Sequence, residues 1–408
     1  MMSSSGYQHV NGLKLYVHRF RDEAVQPSGL TIVLLHGFMD SGATWDMVAP
    51  TLAHAGHDVV APDLRGFGLS EYVGAGGYYH FPDYVADLAQ LVDALAPRRL
   101  AVVGHSMGGT VAALYAGSHP DRVERLALLE GTGPMASEPA LAVDRMQAWV
   151  RTLREVSRTP RPLSSLKEAV ERLCLHHPRV PREVIETRAK LLTRVDDAGR
   201  LLWGYDPLHR TTAPTPFHAE AFKEFLRRID CPTLVVSGGT TGWHPPDEAE
   251  RLACLAHAVG TELPTAGHMM HWTTPGPLAQ RLGQFFGEAP PVKKTRAPTS
   301  SGRPWVAEAP PSSPGSGVPG SPAGHTAHGM APPASSAPSH GASPGGAAAA
   351  PGGVTQMGPG VPVRPVYGGA AADLGAGGGH PGAAPAGAVP AGPTRPSTGM
   401  PGSGHGES

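Results

Sequence analysis

Up to Glu288, short continuous apolar runs alternate with longer stretches whose apolar positions recur every three or four residues. The runs Thr31–Leu35, Val59–Ala61, Leu100–Val103, Val123–Leu129 and Thr233–Val236 show no polar alternation. That pattern predicts strands covered on both faces. Between them, Trp45–Ala55, Tyr84–Leu95, the stretch after Gly108, Asp247–Val259 and Pro277–Phe286 read as helices. Tyr84–Leu95 shows the spacing clearly, with Val85, Leu88, Leu91, Val92 and Leu95 on one face. Val10-Asn11-Gly12-Leu13 reads as a hairpin turn, and a last short strand is expected near Glu262. Strands alternating with helices predict right-handed crossovers and a doubly wound, mainly parallel α/β sheet.

The alternation stops at Gly133. From about Met135 to Arg228 only helical patterns are evident, with Ala142–Val156, Leu166–Cys174 and Arg182–Leu192 as candidates and no strand. A helical block inserted between two strands of one sheet predicts a cap (about 135–228) over the sheet's carboxyl edge, where open α/β sheets bind ligands.

Composition divides the 408 residues. Residues 1–288 read as one globular domain large enough to bury a core. Residues 289–408 are Pro, Gly, Ala, Ser and His with few large apolar side chains. Such a segment offers too little burial to offset the cost of ordering it, so a disordered tail is expected. Its histidines, His325, His328, His340, His380 and His405, are scattered without metal-ligand spacing. A tail partner, if any, is not legible.

The net charge is −1, with about +3 on the tail and about −4 on the domain. Neither value points to nucleic acid or an anionic membrane. Cys174, Cys231 and Cys254 fit no metal pattern and read as free thiols. Met1–Phe20 lacks an apolar core of signal-peptide length, and no window approaches the ~18 apolar residues of a membrane span. A cytoplasmic location is the default expectation.

The candidate chemistry begins at Gly104-His105-Ser106-Met107-Gly108. It sits between a strand and a helix, the context that a Gly-x-Ser-x-Gly nucleophile elbow requires. A serine hydroxyl needs an adjacent base, and the base an orienting acid. His268, in a Gly-marked loop before the last helix, is the expected base, with His271 its local competitor. An oxyanion needs backbone donors. The amides of Met107 and Phe38 are the candidates, since Gly37 lets the loop after Thr31–Leu35 turn inward. His36 reads as a loop-holding residue.

His36-Gly37-Phe38, Asp63-Leu64-Arg65-Gly66-Phe67-Gly68-Leu69-Ser70, Gly104-His105-Ser106-Met107-Gly108-Gly109 and Gly267-His268 stand in the order found in the α/β-hydrolase superfamily. The resemblance covers residues 7 to 287. It implies an eight-stranded core sheet, a helical cap, no cofactor, and hydrolysis through an acyl-enzyme on Ser106. It also implies that Asp63 and Arg65 hold a structural loop. Trp203–Arg210 resembles a cap-exit segment of some members and is assigned no chemistry.

The chain departs from the common family pattern at the acid. The loop Gly238–Pro246 after the Thr233 strand has no carboxylate, and Asp247 reads as the start of a helix. Glu130 instead follows the preceding strand, where some α/β hydrolases carry their acid. Glu130 is therefore the expected acid. Asp247 and a Ser–His dyad remain the alternatives, as does a Glu130 that only bonds loop amides.

A serine at the elbow also separates this chain from dehalogenases and epoxide hydrolases of the fold, which use Asp to displace carbon. The expectation is a serine hydrolase of carboxylic esters acting on a small molecule. Lactone, thioester and C–C hydrolysis remain open, and a hydrolase-fold binding protein with little turnover is the alternative from another class.

Overall fold

The computed structural model of the protein describes residues 2–287. The expectations for residues 289–408, including the tail histidines, lie outside them. The strands are β1 (Met2–Ser3), β2 (Gly6–Val10), β3 (Leu13–Arg21), β4 (Leu30–Leu35), β5 (Asp58–Pro62), β6 (Arg99–His105), β7 (Arg125–Leu129), β8 (Thr193–Val195), β9 (Leu201–Trp203), β10 (Thr233–Ser237) and β11 (Ala258–Glu262). The helices are α1 (Ala49–His54), α2 (Phe81–Leu95), α3 (Met107–Ser118), α4 (Ala142–Glu155), α5 (Leu166–His176), α6 (Arg182–Leu191), α7 (Ala219–Arg228), α8 (Glu248–Ala253), α9 (Met270–Thr273) and α10 (Pro275–Gly287).

Nine strands form one sheet in the order β1-β3-β5-β4-β6-β7-β10-β11, with β2 paired to β3. The pairs from β5 through β11 are parallel, and those made by β3 are antiparallel. The family resemblance implied eight strands. The ninth is the two-residue β1, too short to leave a periodicity signal. The β2–β3 turn has positive φ at both Asn11 and Gly12, which matches the twist of the strands it joins.

Every residue of β4 is buried. Val33 and Leu35 face a core shared with Leu88, Val111 and Phe222 of α2, α3 and α7. Ile32 and Leu34 face a second core with Trp45, Leu52, Leu282 and Phe286. Helices on both faces are the reason the strand reads as an unbroken apolar run.

Several local expectations change. Trp45–Ala55 is not one helix: a 3-10 turn, Gly42–Met47, precedes α1, which starts at Ala49 with Pro50 in its first turn. The helix expected to run from Asp247 to Val259 ends at Ala253, because residues 258–262 pair in parallel with β10. The segment from 135 to 228 is not strand-free. β8 and β9 form a hairpin closed by Asp196, whose carboxylate accepts from the amides of Ala198 and Arg200. Three-residue strands fall below what hydrophobic alternation can reveal. α7 went unread although Phe222 and Leu226 bury one face at i, i+4 spacing.

Candidate active site

The parallel register brings three strand ends side by side. His105 pairs with Leu129, and Leu129 with Val236. Past these pairs the Ser106 amide donates to Leu129 O and the Glu130 amide to Val236 O, each at 3.0 Å. Ser106, Glu130 and Ser237 thus leave the same sheet edge in neighbouring positions.

Ser106 has φ 53° and ψ −117°, a conformation that a non-glycine residue adopts only under constraint. The constraint is tight packing: a Cβ on Gly108 would come within 2.5 Å of Leu35 O. The hydroxyl is held out at the start of α3. His268 Nε2 lies 3.0 Å from Ser106 Oγ. On the other side of the ring, His268 Nδ1 lies 3.5 Å from Glu130 Oε2.

Glu130 itself has φ 50° and an almost fully buried side chain. Its two oxygens accept from the amides of Gly238 and Trp243. The carboxylate-free loop after β10 therefore wraps around a carboxylate that arrives from β7. Gly242 is required for this wrap, since a Cβ there would strike the Glu130 carboxylate. Glu130 consequently does two things: it binds loop amides and it faces His268. Asp247 is engaged elsewhere. It stands at the N-cap position of α8 without a side-chain bond to the helix amides, and its carboxylate accepts from Arg251, with Nε 2.9 Å from Oδ2.

Phe38, Phe81, Met107, Thr110, Pro134 and Trp243 line the cleft with Ser106, Glu130 and His268. Phe38 and Met107, the sequence candidates for oxyanion donors, thus flank the serine. Trp243 was missed by sequence reasoning. Its amide holds Glu130 and its indole N–H donates to Gly133 O at 3.2 Å; the only available signal was an aromatic residue in a Gly-rich loop.

His36, Asp63 and Arg65 are built into loop supports. The Leu64 amide donates to His36 Nε2 at 3.0 Å, while His36 Nδ1–H donates to Gly37 O. Asp63 accepts from Ser41 Oγ and the Gly42 and Leu69 amides. Arg65 makes a two-pronged pair with Asp87. Within Trp203–Arg210, Asp206 accepts from the Tyr79 hydroxyl and Tyr205 is buried. Cys231 is buried and Cys174 and Cys254 are partly so, and none of the three is in a disulfide among the described residues.

Behind the cleft lies a second polar group that the sequence did not disclose. His271 is buried and donates through Nε2 to Asp40 Oδ2 at 2.9 Å. Burial would raise the Asp40 pKa, but His271, the nearby His36 and His105 and the hydrogen bond outweigh it and hold the carboxyl at about 2. His105 donates through Nε2 to the carbonyl of His268 at 2.7 Å. Desolvation, reinforced by His271 and His268, holds the His105 imidazole well below its usual pKa and neutral. Asp40, His105 and His271 have ligand atoms within 4.8 Å of one another. Asp40 and His271 are tied by their hydrogen bond and His105 donates to the His268 carbonyl, while Nδ1 of His105 and Nδ1 of His271 are buried without a hydrogen-bond partner.

Comparisons with known proteins bear on the fold and the family. Residues 31–275 match the model of the family described as the alpha/beta hydrolase fold. The chain is 30% identical over 264 residues to the 3-hydroxybutyrate-oligomer hydrolase of Cupriavidus necator, covering 62% of this chain and 87% of that one. Other matches are partial. The chain spans 33% of a serine hydrolase-like protein of Danio rerio, at 38% identity over 110 residues (27% of this chain). It spans 30% of epoxide hydrolase B of Mycobacterium tuberculosis, at 38% identity over 106 residues (26% of this chain). Among solved structures, a hypothetical protein of Pseudomonas aeruginosa PAO1 superposes with TM-score 0.62 at 26% identity, over 71% of this chain and all of that one. A family match that takes in the parallel strands, the elbow and the histidine loop, on a fold with this strand order, places the chain in the α/β-hydrolase family.

Proposed function

We propose that the protein is a serine hydrolase that cleaves carboxylic esters through an acyl-enzyme on Ser106. The observation that carries the reading is the chain Ser106 Oγ–His268 Nε2–His268 Nδ1–Glu130, at 3.0 and 3.5 Å, on a strained elbow at the sheet's carboxyl edge.

In this reading His268 removes the Ser106 proton as Oγ attacks the ester carbonyl. The amides of Phe38 and Met107 receive the developing oxyanion. His268 then returns the proton to the departing alcohol, and water repeats the sequence to release the acid. Glu130 is a positioning group: it fixes the Nδ1–H tautomer and stabilises the imidazolium. The 3.5 Å separation is long, as catalytic contacts in unliganded sites often are. The roles of Ser106, His268, Glu130, Phe38 and Met107 are all part of this proposal, as is the segment 135–228 acting as a cap over the cleft.

The alternative of a hydrolase-fold binding protein drew its strength from the missing carboxylate after β10. A carboxylate facing His268 from β7 weakens that motive. Epoxide hydrolysis fits less well, because in the family it uses a carboxylate nucleophile where this chain has Ser106.

The test is covalent labelling. A fluorophosphonate probe is expected to modify Ser106, and Ser106→Ala to lose both labelling and hydrolysis of p-nitrophenyl esters while keeping its melting temperature. Unchanged turnover in Ser106→Ala would end this reading. A folded wild-type protein that neither labels nor hydrolyses would favour the binding protein.

A further inference from the structure

Phe38, Phe81 and Met107 are shared walls. On one side of them lies the cleft of Ser106 and His268; on the other lies a second narrow chamber. That chamber is walled by rings. Tyr78 and Trp149 meet edge to face at 5.1 Å. His209 lies 3.8 Å from the Tyr79 ring and 3.9 Å from Phe67, centroid to centroid. The remaining lining is Leu208 and small or neutral residues from 211 to 214, with Tyr84 and His80 at its side.

Among the described residues, no Asp, Glu, Lys or Arg lines this chamber. Its buried histidine does not supply a charge either: burial pushes His209 down to about 3, so the ring is neutral. The Tyr79 hydroxyl is already committed to Asp206 at 2.6 Å. Charged groups, Arg145 and Asp83, line an adjoining groove that shares His80, Phe81, Ala213 and Pro214 with the chamber but do not line the chamber itself. The chamber therefore offers a substrate an aromatic lining with neutral polar side chains such as Thr211 and Thr212 among it, and no charged carboxylate, ammonium or guanidinium. An uncharged lining rich in aromatic side chains favours an aryl group over a saturated ring of the same size through ring–ring contacts.

We infer that this chamber is the subsite for a neutral aryl group of the substrate, so that the ester cleaved at Ser106 carries a benzene-like ring on one side of its carbonyl. The inference rests on the serine-hydrolase reading for its chemistry, but ring recognition can be measured without turnover. Trp149, on α4, is the specificity-determining residue expected to contribute most, because it is the largest aromatic side chain of the lining and packs edge to face on Tyr78.

The experiment compares 3-phenylpropyl acetate and methyl 3-phenylpropanoate with their cyclohexyl counterparts. Binding to Ser106→Ala is measured by calorimetry and kcat/KM with wild type. At least one phenyl ester is expected to bind about tenfold tighter than its cyclohexyl counterpart, the size expected of two or three ring contacts. Trp149→Ala, checked for an unchanged melting transition, is expected to bring that ratio close to one, and Trp149→Phe to restore most of it. A carboxylate placed on the phenyl ring is expected to weaken binding at least tenfold, since its charge finds no partner there. Equal binding of phenyl and cyclohexyl esters, or undiminished binding of the carboxylated ring, overturns the inference. Ring preference in Ser106→Ala without hydrolysis by wild type would overturn the hydrolase reading and leave the subsite standing.

Discussion

Glu130 accepts from two loop amides and also faces His268, so its removal has two separable effects. Glu130→Gln keeps the shape but offers only one oxygen, leaving an amide of Gly238 or Trp243 without an acceptor. A stability loss of about 1–3 kcal/mol is expected from that unmet donor. Catalysis should suffer more. A neutral amide cannot support the imidazolium, and kcat per folded molecule is expected to fall by at least about 10²-fold, against less than about fivefold for Asp247→Asn. Steady-state kinetics of both variants on one p-nitrophenyl ester, beside their urea midpoints, checks this. The reverse ranking would assign the acid to Asp247, and two near-wild-type variants would leave a dyad.

At the scale of elements, the site is three loops joined by buried polar contacts. Asp40 follows the Phe38 loop, His105 opens the elbow and His271 lies in α9, just after His268. The Asp40–His271 bond ties the first loop to the third, and the His105–His268 bond ties the second to the third. Trp272 extends the third loop into the core of α5 and α6, so the inserted segment packs on the element that carries His268. Asp40 makes this tie testable by pH. Its folded pKa is held near 2, below the ~3.9 of an unfolded aspartate, so its contribution is present above pH 4 and is lost as pH falls toward 2. Asp40→Asn is expected to cost about 2–3 kcal/mol at pH 7, with the gap to wild type shrinking to about half at pH 3. Urea denaturation across that range measures it; a gap independent of pH would mean that Asp40 acts by shape alone.

For the whole molecule, two cores sandwich the sheet within residues 2–287, and α10, the last helix of the described residues, belongs to one of them. Leu278, Leu282, Phe285 and Phe286 are buried there, so the domain closes its own core at Phe286. On composition, residues 289–408 add no comparable apolar surface. We therefore propose that a chain ending at 288 keeps the melting temperature and kcat of the full chain, and that limited proteolysis trims the protein to about that point. A drop of more than about 4 °C in the truncated chain, about 2 kcal/mol for a domain of this size, would show that the removed residues contact the domain.

The sequence by itself determined the alternation of β4, β5, β6, β7 and β10 with helices, because a strand covered on both faces must be apolar throughout. It also determined the elbow, since only glycines tolerate the approach of Gly104 and Gly108 to their neighbours. His268 was legible from its place in a loop at the same sheet edge. What only the tertiary structure decided were facts about neighbours distant in the chain. Glu130 meets His268 across 138 positions because β7 lies between β6 and β10 in parallel register. Asp40 meets His271 across 231 positions, and neither carries a local signal, since an isolated Asp or His reads as surface until a partner is placed beside it. The short β8–β9 hairpin and the early end of α8 were decided the same way. Hydrogen bonds to a remote turn or strand overrode weak local preference in segments too short to show a period of their own.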